Sequence, residues 1–226
     1  MRRALIVVGK APVAGHTKTR LVPPLSSADA AELYAAFLLD TLSLAHDLGW
    51  ERVSLIHPRG DGDRLRLLAR GVELVEQPGD GLEHALASAF EHHFKLGDEA
   101  VILIGSDSPT LGLEPIRAAE AALLRGADLA IGPTVDGGYY LIGMRQPHLG
   151  VFEHIDWSTP RVFGQTLERA AHLELKVCSV AQWYDVDGPA DLARLQHDLA
   201  TRRPDVAPHT RAVLEAIDLA RAAQAR

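Results

Sequence analysis

Basic and glycine residues that could bind a phosphate group follow the first apolar run of the chain. Residues 5–9 (LIVVG) form this run, and a loop comes directly after it. Phosphate binding needs positive charge, backbone N–H groups and close approach of the main chain, and a buried strand leading into a basic, glycine-containing loop supplies all three. The loop carries Lys10, Pro12, Gly15, His16, Lys18, Thr19 and Arg20, of which Gly15, Lys18, Thr19 and Arg20 together offer these groups.

The charge distribution around this loop favours a phosphate site. No Asp or Glu precedes Asp29, although the whole chain has a net charge of -7. Charge-assisted hydrogen bonds contribute about 1.5–3 kcal/mol, against about 0.3–1 kcal/mol from helix-end polarity, so Lys10, Lys18 and Arg20 are predicted to dominate binding. The Walker spacing and the dinucleotide glycine fingerprint are both absent. A solvated loop without a ligand is the alternative interpretation.

Aspartates near the ends of later elements could hold a divalent cation. Asp107 directly follows the apolar run 100–105 and Ser106, so we expect its side chain at the crevice where parallel strands end. Mg²⁺ takes oxygen ligands and commonly keeps only one or two protein carboxylates. Asp107 fits that role, with helix capping as the alternative. Capping is also expected of at least one of Asp185 and Asp187, which precede a predicted helix.

Asp136 precedes two glycines, Gly137 and Gly138, in a turn-rich segment. Two adjacent glycines imply that the backbone approaches something closely. That neighbour is either a ligand or the adjoining strand of a tight turn, and the sequence leaves both open.

Several other kinds of site are excluded by motif and composition. The 11 histidines show no metal-ligand spacing with a third partner, and a serine-hydrolase elbow is absent because Gly105-Ser106-Asp107 lacks its second glycine. The single cysteine, Cys178, excludes an intramolecular disulfide framework and indicates a reducing cytoplasm.

Charge and hydropathy exclude further partners. The chain has 23 Lys and Arg against 30 Asp and Glu, whereas general binding of nucleic acid or of an anionic membrane needs a basic surplus. The apolar run ALIVVG is too short to span a membrane. We therefore expect a cytoplasmic protein without a membrane span or a nucleic-acid partner.

Alternation of strand and helix patterns indicates how these residues are positioned. The predicted strands are residues 5–8, 52–57, 72–76, 100–105, 128–132, 139–143 and 174–180. The predicted helices run from Ser26 or Ser27 to Gly49, then over 63–70, 81–96, 113–125, 159–172, from 190 onward, and over 207–225.

This pattern predicts one domain over residues 1–226, a three-layer α/β/α sandwich with a mostly parallel sheet. The gap between strands 128–132 and 139–143 is too short for a helical crossover, so that pair should be antiparallel or lie in different layers. The last helix is expected to be peripheral, either packing on the outside or mediating a homodimer.

Five segments together resemble one superfamily of transferases. They read KAPVAGHTKTRL, QPGDGLEHAL, IGSDSPTL, GPTVDGGYYLIG and WYDVDGPADL, and the resemblance covers residues 5–195 in order. The chain is similar to the glycosyltransferase-A-type, or nucleotide-diphospho-sugar, transferases of bacteria, in the branch usually labelled glycosyltransferase. That branch is in turn similar to the guanylyltransferases acting on 2-phospholactate and on the molybdenum cofactor. The resemblance implies a glycosyltransferase-A-like, Rossmann-like fold.

The resemblance also implies roles for individual residues. A nucleotide or nucleotide-sugar would lie on the loop 10–21, with Gln77 and Gly81 near the base or ribose and Ser106 close by. Asp107 and Asp187 would hold Mg²⁺ or Mn²⁺, and Asp136, Gly137, Gly138 and Tyr139 would face the sugar or a small-molecule acceptor. Lys18, Arg20, Asp107 and Asp136 would act in catalysis.

Three functions follow from these observations. A glycosyltransferase using a nucleoside-diphosphate sugar is favoured by the resemblance along the chain. A nucleotidyltransferase joining a nucleoside triphosphate to a phosphorylated acceptor is favoured by the basic loop and by Ser108, which stands where an Asp-x-Asp motif would continue after Asp107. A non-catalytic nucleotide-binding module is the third alternative. Our main expectation is the glycosyltransferase.

Overall fold

A seven-stranded sheet forms the centre of the protein in the computed structural model, which describes residues 1–224. The strands are β1 (Arg3–Val8), β2 (Arg52–His57), β3 (Glu73–Glu76), β4 (Ala100–Gly105), β5 (Leu129–Pro133), β6 (Tyr139–Met144) and β7 (Val177–Ser179). Their order in the sheet is β3-β2-β1-β4-β6-β5-β7. Strand β6 runs antiparallel to β4 and β5, and the other pairs are parallel, which confirms the predicted sheet.

Helices connect the strands and cover both faces. They are α1 (Ser27–Asp47), α2 (Gly62–Leu65), α3 (Leu82–Lys95), α4 (Leu113–Leu124), α5 (Val162–His172), α6 (Pro189–Thr201) and α7 (Pro208–Gln224). Alternate residues of β1 enter opposite cores. Leu5 and Val7 pack with α1, α2 and α4, whereas Ala4 and Ile6 pack with α3 and α5. The three-layer α/β/α architecture is therefore confirmed.

A further layer of helices lies outside α1. Helices α6 and α7 cover the face of α1 that carries Tyr34 and Phe37, while its opposite face packs on the sheet. The buried carboxylate of Asp40 accepts hydrogen bonds from the backbone N–H groups of His209 and Thr210 and from the Thr210 hydroxyl. These bonds attach the start of α7 to α1. The predicted end of this helix at residue 225 lies outside the described residues.

Three predicted elements are shorter in the structure by several residues. The helix predicted over 63–70 is only the single turn α2, because turns begin at Arg66 and continue to Gly71. Helix α5 begins at Val162, since Thr159 and the residues up to 161 form a turn before it. Strand β7 is the edge strand next to β5, and only its residues 177–179 pair with β5. Within residues 1–224, none of the helices combines the length and apolarity that crossing a membrane requires.

A buried polar network lies at the end of the sheet where β4 begins. The Asp98 carboxylate lies 2.9 Å from His93 Nδ1 and 3.1 Å from Arg52 Nε. The opposite ring nitrogen, His93 Nε2, lies 2.7 Å from the Ser54 hydroxyl. Burial lowers the pKa of His93, although Asp98 acts in the opposite direction. A neutral ring that donates from Nδ1 to Asp98 and accepts from Ser54 satisfies every group.

We expect acid to destabilise the protein through His93. An unfolded histidine has a pKa of about 6.5, and the folded value is lower, so the unfolded chain binds the proton more readily. The contribution of His93 is therefore complete above about pH 6.5 and is lost as the pH falls. Urea unfolding from about pH 7.5 to 5.5 should show a smaller decline in stability for His93→Gln than for the wild type.

His92→Gln is the matched control, because the side chain of His92 is 35% exposed and pairs with Glu73 on the surface. This variant should keep the decline seen in the wild type. An unchanged decline in His93→Gln would contradict the assignment of the pH effect to the buried ring.

Candidate nucleotide site

A cleft of about 600 Å³ opens at the carboxyl ends of β1 and β4. Three segments form it: the basic loop after β1, the β4–α4 loop, and the stretch before α6, with the β5–β6 turn and the start of α5 as the opposite wall. The predicted site residues that line it are Lys10, Lys18, Thr19, Arg20, Asp107, Asp136, Gly138, Tyr139 and Asp187. The structure thus brings together residues that are far apart in the chain.

Hydrogen bonds fold the basic loop onto itself. The buried Thr17 hydroxyl accepts from the Val13 N–H at 3.0 Å and donates to the Ala11 carbonyl at 3.1 Å. The Ala11 N–H donates to the Asp61 carboxylate at 2.7 Å, which ties the loop to the turn before α2. These bonds satisfy polar groups of the loop without a ligand. The loop therefore has this shape before a ligand binds.

Tyr34 of α1 links the basic loop to the end of β4. Its hydroxyl accepts a hydrogen bond from the Lys10 backbone N–H at 3.1 Å and lies 2.9 Å from the Ser106 hydroxyl. Burial and the nearby Asp107 raise the pKa of Tyr34 to about 12. Ser106, a predicted nucleotide ligand, therefore serves as a buried partner of Tyr34. In the sequence, Tyr34 stands at helical spacing among apolar residues such as Leu33 and Phe37, and nothing there points to this link.

Lys18 forms the centre of the site. Its ammonium lies 2.6 Å from Asp107 Oδ1 and 2.8 Å from Asp187 Oδ1. The lysine side chain is 5% exposed, whereas both carboxylates are 41% exposed. Its backbone is left-handed, with φ at 50°, a conformation that non-glycine residues adopt at the expense of strain and that often marks functional sites.

The environment of Lys18 keeps it protonated. Burial alone would favour the neutral amine, but Asp107 and Asp187 outweigh burial, so the pKa of Lys18 is raised. The ammonium also lies 5.8 Å from the ring centre of Tyr34 and 5.9 Å from that of Phe37. Lys18 is therefore a fixed cation of the site. In contrast, Lys10 and Arg20 have no ion pair among the described residues and line the same cleft.

Asp185 is a third carboxylate of this cluster. It accepts a 2.6 Å hydrogen bond from the Ser108 hydroxyl, which also lies 2.9 Å from the Tyr184 carbonyl. Burial, reinforced by the negative charge of Asp107, raises the pKa of Asp185 to about 7. The resemblance implies that Asp187 is a metal ligand, and the sequence pattern predicts that Asp185 or Asp187 caps α6. Asp191 does this instead, accepting hydrogen bonds from the N–H groups of Asp187 and Gly188.

The β5–β6 turn explains the two glycines after Asp136. Asp136 accepts hydrogen bonds from the Thr134 hydroxyl and the Gly138 N–H, so it stabilises the turn while lining the cleft. Gly137 has φ at 93°, and a Cβ there would overlap the Pro160 carbonyl. Its own carbonyl accepts the Phe163 N–H at 2.9 Å. The close neighbour of Gly137 is therefore the segment that leads into α5, whereas a Cβ on Gly138 would meet Thr134 and Asp136 within the turn itself.

Gly137→Ala should therefore destabilise the protein by about 2–4 kcal/mol, combining left-handed strain with backbone overlap. Gly15→Ala is the control, because Gly15 has φ at 78° and a Cβ added there would meet nothing within 4 Å. The free energy of unfolding of this control should fall by about 1–2 kcal/mol. Urea unfolding measures both. Equal losses at the two positions would contradict the role of the Pro160 contact.

Four further predicted residues are not among those that line the cleft. Gln77 is buried and donates to the Gly79 carbonyl at 2.8 Å. Gly81 precedes α3, whose first residue, Leu82, does line the cleft. Pro12 and Gly15 belong to the basic loop but are not among the lining residues. Tyr139, in contrast, lines the cleft, and burial raises the pKa of its hydroxyl.

The chemistry of the donor set fits a divalent cation at Asp107 and Asp187. Their oxygens converge on one point, where the Lys18 ammonium now lies, which shows that the pair attracts a positive charge. Two carboxylates with open solvent access suit Mg²⁺ or Mn²⁺, which complete their coordination with phosphate and water. Within residues 1–224, no three His, Cys, Asp or Glu side chains form a ready set of metal ligands.

Several solved structures have a fold similar to that of this chain. A candidate nucleotide-diphospho-sugar transferase from Desulfovibrio desulfuricans G20 is 30% identical, with a TM-score of 0.87 over 97% of this chain and 96% of its own. A cytidylyltransferase from Leptospira borgpetersenii is 12% identical, with a TM-score of 0.58 over 98% and 96%. A Mycobacterium tuberculosis H37Rv protein in complex with manganese is 17% identical, with a TM-score of 0.50 over 87% and 99%.

The similarities of the last two structures concern the fold alone. Curated protein sequences contain no significant match to the chain. The profile of one family, described as "Uncharacterized protein conserved in bacteria (DUF2064)", matches residues 40–159, which is more than half of the 226 residues. The chain therefore belongs to this bacterial family.

Proposed function

We propose that the protein is a metal-dependent transferase that uses a nucleoside-diphosphate sugar. The observation that carries this proposal is the convergence of Asp107 and Asp187 on Lys18 inside a cleft that also contains the cations Lys10 and Arg20, which lack ion pairs among the described residues. A diphosphate leaving group needs positive charge where its negative charge develops. Support comes also from the Desulfovibrio relative, whose description is a nucleotide-diphospho-sugar transferase.

Several side chains of the cleft have a proposed task. Lys10 and Arg20 bind the phosphate oxygens of the nucleotide, and Lys18 holds Asp107 and Asp187 in their converging orientation. These two carboxylates would hold Mg²⁺ or Mn²⁺, which would supply charge neutralisation to the departing diphosphate. Thr19 offers a hydroxyl beside the same phosphates.

The two ends of the cleft have separate proposed roles. Leu82, which lines the cleft and directly follows Gly81, would contact the base or ribose, together with Gln77 and Gly81. Asp136 and Tyr139 form the end for the sugar and the acceptor. Asp136 acts there as a polar contact to a sugar hydroxyl, because its carboxylate already stabilises the turn through Thr134.

Nucleotidyl transfer is the second candidate function. The observation that favours it is the arrangement around Ser108, whose hydroxyl is bound to Asp185 and Tyr184, so the second carboxylate near Asp107 is Asp187 rather than a neighbour in an Asp-x-Asp motif. In this reaction a phosphorylated acceptor attacks the α-phosphorus of a nucleoside triphosphate, and pyrophosphate leaves. The cytidylyltransferase fold of the Leptospira protein is compatible with it.

Incubation with Mg²⁺ and a panel of nucleotides separates these reactions. Consumption of a nucleoside-diphosphate sugar, with release of the nucleoside diphosphate, is the expected result. Release of pyrophosphate from a triphosphate in the presence of sugar phosphates would instead identify the reaction as nucleotidyl transfer. If the protein binds a nucleotide tightly with Mg²⁺ but shows no turnover across a broad acceptor panel, it is a non-catalytic nucleotide-binding module.

A further inference from the structure

A second, smaller cavity adjoins the cleft on the side of α6. Its volume is about 270 Å³, below the roughly 300–1,000 Å³ of sites for drug-sized ligands. The residues that both cavities share are Arg20, Asp136, Asp185 and Asp187. The second cavity therefore has room for a small group of a substrate, placed directly beside the carboxylates of the site.

Arg194 on α6 gives this cavity a preorganised cation. Its guanidinium carbon lies 3.8 Å from the centre of the Tyr184 ring, so the side chain is stacked on a buried aromatic residue. The Tyr184 hydroxyl donates to Asp198 at 2.8 Å, which fixes the ring. Among residues 1–224, neither Arg194 nor Arg20 has an ion-pair partner, and both line the cavity.

The carboxylates of the second cavity already have partners. Asp187 is paired with Lys18, and Asp191 accepts hydrogen bonds from the backbone N–H groups of Asp187 and Gly188, just before α6. Asp136 is bound by Thr134, and Asp185 by Ser108. Asp136, Asp185 and Asp191 are thus held by hydrogen bonds and Asp187 by Lys18, so within the described part of the chain the charged groups of this cavity with neither a hydrogen bond nor an ion pair are the two guanidinium groups. Guanidinium groups bind planar or tetrahedral oxyanions through paired N–H donors.

We propose that Arg194 and Arg20 form a subsite for an anionic group, a phosphate or a carboxylate, on the acceptor. This inference rests on the proposed transferase function, because it makes the second cavity the place where the acceptor is held. The nucleotide occupies the larger cleft through Lys10, which does not line the second cavity. Arg20 lines both the cleft and the second cavity, so it would contact the nucleotide phosphates and the anionic group of the acceptor.

Calorimetric titration with inorganic phosphate tests the subsite. The protein is first saturated with Mg²⁺ and a nucleoside diphosphate, so that further phosphate reports on the second cavity. Arg194→Gln should weaken this phosphate binding about tenfold or more, because a charge-assisted hydrogen bond is lost. Arg125→Gln is the matched control, since it removes one exposed positive charge remote from both cavities and should bind phosphate as the wild type does.

An acetate titration distinguishes the two sources of the anion. Arg194-dependent binding of phosphate but not acetate assigns a phosphorylated acceptor, and the reverse assigns a carboxylic acid. If wild type and Arg194→Gln bind both anions equally, or if the wild type binds neither, the subsite is overturned.

The nucleotide titration is read separately from the anion titrations. If no nucleoside diphosphate binds, the proposed function fails, and the anion titrations are made on the protein without nucleotide. A loss of phosphate affinity in Arg194→Gln would then still support the anion subsite, whereas equal affinities would overturn it. The two failures are therefore distinguishable.

Discussion

Replacing Lys18 with methionine is expected to lower the free energy of unfolding by about 2–3 kcal/mol in metal-free buffer. The substitution removes the cation on which Asp107 and Asp187 converge and leaves two carboxylates facing each other. Loss of a partner from a fully buried ion pair costs about 3–5 kcal/mol. We expect less here because both aspartate side chains are 41% exposed and solvent screens them.

Magnesium should restore much of the stability lost by Lys18→Met. A divalent cation that binds the folded carboxylates, but not the unfolded chain, stabilises the protein by mass action. Thermal unfolding with and without Mg²⁺ measures the effect, and the gain should be larger in the variant than in the wild type.

Lys10→Met is the control for the Lys18 substitution. Lys10 lines the same cleft, is exposed and lacks an ion pair among the described residues, so its stability should change by no more than about 0.5 kcal/mol. A Lys18→Met protein as stable as Lys10→Met would show that Lys18 does not hold the carboxylates together.

Asp107→Asn is expected to reduce Mg²⁺-dependent turnover about 100- to 1,000-fold, the range seen when one preorganised electrostatic group is removed. Asparagine keeps the shape of the side chain but removes the charge that a cation and Lys18 share. Affinity for nucleotide in the presence of Mg²⁺ should fall as well, whereas the weaker affinity measured in EDTA should change little. Turnover and calorimetric affinity, each with Mg²⁺ and with EDTA, check these expectations.

Asp63→Asn controls for the general loss of a negative charge, because the Asp63 side chain is 96% exposed and lies outside the cleft. Urea unfolding of Asp107→Asn separates a fold defect from a metal defect. If its Mg²⁺-dependent affinity equals that of the wild type, the cation binds elsewhere and the proposed role of Asp107 is wrong.

The sheet could be predicted from sequence because its signals are local. Residues 100–105 are apolar without interruption, as expected of a strand covered on both faces, and the predicted bounds are those of β4. Ser26 caps α1 through a reciprocal bond with Asp29, so that helix also begins where its sequence indicates. The short link before β6 was enough to limit that pair to an antiparallel arrangement or to separate layers, and the structure has the antiparallel one.

The relations within the site could not be predicted because they depend on packing between distant segments. Lys18 and Asp187 are 169 residues apart, and no local pattern pairs them. Tyr34 follows helical apolar spacing, which hides the fact that its hydroxyl connects the basic loop to Ser106. Likewise, Asp185 and Asp187 look alike in sequence, and only the fold gives one to Ser108 and the other to Lys18.

The same long separation sets when the site is completed during synthesis. The ribosome makes the basic loop first, and Asp187 emerges only after most of the chain. A nascent or truncated chain that ends before Asp187 has a lysine with one carboxylate partner, Asp107, instead of two. The proposed nucleotide site can therefore be complete only after translation has passed Asp187, just before the start of α6.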